Sequence, residues 1–166
     1  MLQIPTKTKP AYNAGNILTL NQKSQCLASP VAPAKHSTLD ASGKVPGDDW
    51  FVFYGQTSSP NKSVTLHINE SSSDREYADI DFFRLDPSIR KIVFVLTINE
   101  ALERNLNFSM VQDAYIRILN PDSGQEIYSF MLTDYYDNVT SMMLGEIYLH
   151  NTEWKFCMVL KQTNGR

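Results

Sequence analysis

The stretch that decides the fold spans residues 91–98 and reads KIVFVLTI. Every residue from Ile92 to Leu96 is apolar, and β-branched residues recur throughout the stretch, as is typical of β-strands. Because polar and apolar positions do not alternate, the strand is expected to be apolar on both faces and to lie in the middle of the sheet system. We therefore predict a central core strand here.

Two β-hairpins are predicted downstream of this strand. Segments 114–119 and 126–132 flank the sequence NPDSG, in which Pro and Gly provide the backbone angles of a tight connection. Segments 142–150 and 154–160 are joined through an Asn-Thr pair. Residues 99–104 begin with a capping Asn and contain helix formers, but two further Asn residues follow closely, so a short helix at most is expected there.

Three more strands are predicted upstream of the core strand. Residues 51–54 form a compact run rich in aromatic and β-branched residues, which is closed by Gly55 and a Ser-Ser-Pro-Asn turn. Residues 64–68 form a second run. Residues 77–85 alternate in polarity, as expected of a half-exposed strand. Short strands at roughly ten-residue spacing are typical of a sandwich or barrel.

The first forty residues differ from the rest, because they contain four prolines and few aromatic residues. One short strand fits there, around residues 17–20, and residues 23–37 are interpreted as irregular covering chain. We predict an all-β fold, an antiparallel β-sandwich with at most one or two short helices. The chain divides into a Pro-rich N-terminal segment, residues 1–38, and a sandwich domain, residues 39–166.

Composition limits the function classes. A chain of 166 residues with 42% hydrophobic content can bury one sizeable core. The net charge of -3 gives no reason to expect nucleic-acid binding, which needs clustered Lys and Arg. No apolar run approaches the length that spans a bilayer, and no signal-peptide pattern begins the chain. A cytoplasmic location is therefore expected.

Motifs of catalysis are absent from the sequence. There is no Gly-rich phosphate loop, no Gly-x-Ser-x-Gly elbow and no pair of His residues on a helix. The three histidines have no metal-ligating residue at the usual spacing, and the two cysteines are far apart, as expected of reduced thiols. The chain is therefore not expected to be an enzyme.

Acidic loops remain as candidate ligand sites. An Asp pair at 48–49 comes just before a predicted strand. Asn69-Glu70, with Asp74 and Glu76, flanks the loop before the next-but-one strand. Calcium takes six to eight oxygen ligands, which loops at the end of a β-sandwich can supply. Solvated surface charge is the alternative interpretation of the same residues.

Several separated blocks of the chain stand out together: GKV at 43–45, DD at 48–49, FVFY at 51–54, SP at 59–60, KIVFVLTI at 91–98, NF at 107–108, AYIR at 114–117, GEIY at 145–148 and EWKF at 153–156. In order and spacing these blocks resemble the TerD family of tellurium-resistance and general stress proteins. The resemblance implies a β-sandwich that binds calcium through acidic loops, in cytoplasmic bacterial systems that resist tellurite and other chemical stress. It also implies adaptors that associate with other Ter-type proteins or with themselves, including peripheral contact with a membrane protein partner, and no catalysis.

The resemblance also indicates which residues would hold calcium. The family's first acidic loop falls on Asp48 and Asp49, which are retained, whereas the second is shortened and has Arg75 where the family has an Asp. A cation there repels a divalent ion. The ligand set implied by the resemblance is Asp40, Asp48, Asp49, Asn69, Asp74 and Glu76, with Asp40 the weakest member.

Two function hypotheses follow. The first is a binding or scaffold domain in stress resistance that binds calcium in its loops. The second is a degenerate family member that has lost calcium and acts as a structural or oligomer-forming subunit. Arg75 and the shortened loop favour the second hypothesis.

Overall fold

The structure, a computed structural model, describes residues 16–22, 35–39, 45–68, 76–98, 101–110, 114–120, 123–131 and 139–162. Within these residues the regular structure is almost entirely β-strand. The strands are β1 Asn16–Gln22, β2 Lys35–Leu39, β3 Phe51–Val52, β4 Val64–Ile68, β5 Glu76–Ile80, β6 Lys91–Thr97, β7 Ala114–Leu119, β8 Glu126–Met131, β9 Ser141–His150 and β10 Glu153–Gln162.

The strands form two five-stranded sheets in which every pairing is antiparallel. The first sheet has the order β4-β5-β1-β7-β8, and the second has the order β10-β9-β6-β2-β3. The predicted core strand is β6, which occupies the middle of the second sheet. The prediction of an all-β antiparallel fold is confirmed.

One hydrophobic core lies between the sheets. It includes the fully buried side chains of Ile80 and Ile116 from the first sheet and of Phe94 and Leu144 from the second. A sandwich follows, because residues from both sheets belong to one cluster. In β6 the buried positions alternate with half-buried ones, so the outward face of this apolar strand is only partly covered.

Both predicted hairpins are confirmed, as β7–β8 and β9–β10. Gly124 in the first connection and Asn151 in the second have positive φ angles of 66° and 57°. Gly and Asn are the residues that adopt this backbone conformation most readily. A short helix at most was expected at 99–104, and the described part of that segment, residues 101–104, forms a turn.

The strand predicted at residues 77–85 is shorter than expected. It ends at Ile80 because the Asp81 side chain turns the chain: its Oδ1 accepts hydrogen bonds from the backbone N–H groups of Phe83 and Arg84, at 3.0 and 3.3 Å. Asp side chains commonly form such turns. The alternation of polar and apolar residues therefore extends past Ile80, where the strand itself ends.

The described residues of the N-terminal region, 16–22 and 35–39, form two strands, whereas one was predicted. The predicted strand is β1, which lies in the centre of the first sheet between β5 and β7. The second, β2, starts at Lys35, inside the segment interpreted as irregular, and the proposed division after residue 38 falls within it. Its sequence, KHSTL, is short and weakly apolar, so its strand form depends on pairing with β6 and β3 on its two sides.

Candidate functional site

The acidic pair Asp48 and Asp49 belongs to a short 3₁₀ turn directly before β3. The turn is closed by a hydrogen bond from the Trp50 backbone N–H to the Gly47 carbonyl oxygen, at 3.1 Å. The Gln56 side-chain amide donates to the Asp48 carbonyl oxygen at 3.2 Å. These two hydrogen bonds hold the backbone of the turn in place, while both Asp side chains are exposed to solvent.

The chain reverses direction twice between β3 and β4. Phe53 pairs with Gln56 in an antiparallel bridge, and Ser58 pairs with Thr65 of β4 in another. Two reversals restore the original direction, so β3 and β4 run the same way. The start of β3 and the end of β4 therefore lie at opposite ends of the sandwich.

Glu76 consequently lies far from the Asp pair. It is the first residue of β5 and is paired with Ile68, the last residue of β4. Asp48 and Asp49 lie at the other end, where β3 begins, and β4 alone spans about 13 Å. The structure brings the two Asp residues together and does not bring Glu76 to them.

The other three predicted ligands, Asp40, Asn69 and Asp74, lie outside the described residues. In the part of the chain that the structure describes, no group of three or more His, Cys, Asp or Glu residues could hold a metal ion. Calcium takes six to eight oxygen ligands, of which the two carboxylates in this turn supply only part. The six-residue ligand set stays a prediction.

A polar cluster that the sequence did not reveal lies on the outer face of the first sheet. His67 Nε2 and Asp79 Oδ2 are 2.9 Å apart, and the His67 ring stacks on Tyr77 with ring centroids 4.5 Å apart. His67 is directly opposite Tyr77 across the β4–β5 pair. Both strands were predicted, so the missing information was their register, which alone could have shown that His67 has an acidic neighbour.

Charged pairs also lie on the second sheet and at the β7–β8 hairpin. Lys91 Nζ binds Glu146 Oε2 at 2.9 Å between β6 and β9. Arg117 Nη1 lies 3.8 Å from Glu126 Oε2, and the guanidinium lies over the Tyr115 ring. These partly exposed pairs contribute little stability each. In both pairs the basic side chain, Lys91 or Arg117, lies against a carboxylate.

Similarity to known proteins extends over most of this fold. Residues 32–166 match the family model described as the TerD domain. The chain belongs to the TerD family. The match contains every strand from β2 to β10, whereas β1, the central strand of the first sheet, precedes it.

Curated TerD relatives come from several bacteria. The tellurium resistance protein TerD of Serratia marcescens is 38% identical over 122 residues, which are 71% of this chain and 64% of the relative. General stress protein 16U of Bacillus subtilis is 34% identical over 126 residues, which are 73% of this chain and 65% of the relative. This TerD-family chain thus spans just under two thirds of these two relatives.

A solved structure shows the same fold. The crystal structure of a homologue of telluride resistance protein (TerD) from Streptomyces coelicolor has a TM-score of 0.67 and covers 92% of both chains. Its sequence is 14% identical, so the likeness concerns the fold alone. The described residues contain no helix that is long and apolar enough to cross a membrane.

Proposed function

We propose that this TerD-family chain is a non-catalytic binding or scaffold domain in cytoplasmic bacterial systems that resist tellurite and other chemical stress. The observation that supports it most is the family match over residues 32–166, together with relatives named for tellurium resistance and general stress. The function lies in association with other Ter-type stress proteins, with itself, or peripherally with a membrane protein. Hydrolysis of generic ester, phosphate or glycoside substrates by the purified chain would contradict the non-catalytic role.

Calcium is the proposed regulator of this association, and the turn that contains Asp48 and Asp49 is its proposed place. Two exposed carboxylates on a fixed backbone turn support this choice. The remaining oxygen ligands have to come from backbone carbonyls, water or residues outside the described part of the chain.

A thermal melt of the chelator-stripped protein tests calcium binding. A ligand that binds only the folded state stabilises it, by about 2.7 kcal/mol at one hundred times its Kd. We expect millimolar calcium to raise Tm by several degrees and magnesium to have a smaller effect. The double variant Asp48→Asn/Asp49→Asn should lose this shift, and Glu76→Gln should keep it. The opposite pattern would move the site to the β4–β5 end of the sandwich.

The second candidate function is a structural or oligomer-forming subunit that does not bind calcium. The separation of Glu76 from Asp48 and Asp49 favours it. Light scattering of the stripped protein with and without calcium distinguishes the two candidates. A stable oligomer with no thermal response to calcium supports this one.

A further inference from the structure

Strand β8 forms one edge of the first sheet. Within the described residues it pairs only with β7, so one side of its backbone has no neighbouring strand. Its sequence, EIYSFM, contains strong strand formers and neither Lys nor Pro. Unpaired N–H and C=O groups on such a strand are a template for pairing with another strand.

The other three sheet edges are protected. Residues beside β4 already bond to it, through Ser59 N–H to the Val64 carbonyl at 2.9 Å and Leu66 N–H to the Thr57 carbonyl at 2.7 Å. Strand β3 has only two residues, and β10 carries lysines and an irregular register near its end. Short edges, bulges and Lys residues are the usual means of preventing edge pairing. An irregularity near Ile127 is the only such feature of β8.

The side chains of β8 point alternately to the outer face of the sheet and to the core, and both sets include apolar residues. Ile127 and Met131 are 37% and 49% exposed. Tyr128 and Phe130 are half-buried and pack against the core. Ser129, between them, is exposed. The strand is therefore apolar on both sides of a small central residue.

We propose that β8 pairs antiparallel with β8 of a second copy of this chain, with the two Ser129 residues opposite each other. In this register, Tyr128 faces Phe130 of the second copy and Ile127 faces its Met131. Directly opposed residues of antiparallel strands share a face, so inward residues meet inward ones and exposed apolar residues cover each other. No two like charges are opposed.

Neighbouring registers fit less well. A shift by one residue places inward residues opposite outward ones, which removes the match on both faces. A shift centred on Tyr128 instead brings Glu126 opposite Phe130. The register centred on Ser129 is self-complementary, as a two-fold interface requires, and joins the first sheets of two copies into one continuous sheet.

A disulfide across the two-fold axis tests the register. Opposed residues in antiparallel strands have Cα atoms about 4.5–5.5 Å apart, within the range that a disulfide spans. We expect Ser129→Cys to form a covalent dimer on oxidation, seen on a non-reducing gel. Gln125→Cys, exposed on the same hairpin but outside the pairing, should not exceed the background that the unmutated chain sets through Cys26 and Cys157. Equal cross-linking of both variants would overturn the register.

A charge pair tests the interface in solution. We expect the unmutated chain to be a dimer in sedimentation equilibrium at about 100 µM, and Ile127→Lys/Met131→Lys to raise the dimer Kd at least tenfold. The matched variant Ile127→Glu/Met131→Lys places opposite charges across the interface and should restore the dimer. All substituted positions are exposed, so the monomer fold should be kept, with circular dichroism as the check. A monomeric unmutated chain, or equal behaviour of both variants, would overturn the proposal.

The dimer and the calcium proposal fail independently. Strand β8 contains none of the predicted calcium ligands, and the cross-linking experiment needs no metal ion. Loss of the calcium response with a retained dimer would support the oligomer-forming subunit instead.

Discussion

The aromatic rings of Phe82 and Trp154 lie 5.4 Å apart and are inclined by 35°. Phe82 follows β5 of the first sheet and Trp154 lies in β10 of the second, so this contact joins the sheets near one end of the sandwich. Aromatic pairs at such distances contribute about 0.5–1.5 kcal/mol beyond their burial.

Two adjacent phenylalanines provide a direct test of this contact. Phe82→Ala should lower the free energy of unfolding by about 2–3 kcal/mol, because Phe82 packs against the core. Phe83→Ala should change it by less than about 0.5 kcal/mol, because Phe83 is 74% exposed. Urea unfolding measures both, and a double-mutant cycle with Trp154→Ala isolates the ring contact. Equal losses at the two positions would contradict the packing described here.

Gly145 in β9 leaves room for a ring of the neighbouring strand. A Cβ at this position would lie 2.9 Å from the Phe156 ring and 2.9 Å from the Cys157 carbonyl oxygen. Gly145→Ala should therefore cost about 1–3 kcal/mol of unfolding free energy through overpacking. Gly47→Ala is the control, since its Cβ would meet only the exposed Asp49 carboxylate, which can rotate away. A thermal melt that ranks the two variants in the reverse order would be inconsistent with this packing.

Asn61 connects two loops at the start of β4. Its Oδ1 accepts hydrogen bonds from the hydroxyls of Ser59 and Ser63, at 3.1 and 2.7 Å, and its Nδ2 donates to the Arg84 carbonyl oxygen at 2.6 Å. Both Ser residues are buried. Asn61→Ala should destabilise the protein by about 2 kcal/mol, because the hydroxyls lose an acceptor.

The neighbouring Lys62 provides the control for Asn61. Lys62 has a positive φ of 56°, so Lys62→Gly should leave stability nearly unchanged or raise it slightly. Chemical denaturation compares the two variants. A smaller loss for Asn61→Ala than for Lys62→Gly would show that the hydrogen bonds of Asn61 contribute nothing.

The carboxyl group of Asp86 titrates under the control of Ser88. The Ser88 hydroxyl donates to Asp86 Oδ1 at 2.7 Å and its backbone N–H donates at 2.8 Å, and these bonds hold the pKa of Asp86 below its ordinary 3.8. The stabilisation linked to a lowered pKa is present above 3.8 and is lost as the pH falls through the folded-state value.

Removal of the hydroxyl should therefore raise the pKa of Asp86. Ser88→Ala deletes the larger of the two contributions and keeps the backbone bond, so the pKa should move part of the way back. An NMR titration of the side-chain carboxyl measures the change, with Ser129→Ala as a control on a distant strand. An unchanged pKa in Ser88→Ala would assign the effect to the backbone N–H alone.

The strands that the sequence predicted well are those whose pattern is local. Residues 64–68 alternate in polarity, and β4 has these bounds. The β9–β10 hairpin follows from an Asn-Thr junction between two apolar runs. By contrast, the strand form of β2 depends on partners that come later in the chain, and no pattern within KHSTL indicates it.

The candidate site could be predicted only in part for a similar reason. The sequence placed Asp48 and Asp49 in one acidic loop, and the structure keeps them in one turn. The sequence could not show that Glu76 lies at the opposite end of the sandwich from this turn. That position depends on how often the chain reverses between β3 and β4, which composition does not reveal. The His67–Asp79 contact likewise depends on the register of β4 against β5.

The position of β1 has a consequence for how the protein folds. Its residues pair on one side with β5, and on the other Ile17 lies opposite Leu119, about a hundred positions further along the chain. The first sheet cannot close around β1 during synthesis until β7 has left the ribosome. Contacts between such distant segments are formed slowly, since a long loop must be closed before they form. The chain is thus expected to fold late and on a slow timescale, and the side of β1 that pairs with β7 remains without its partner until then.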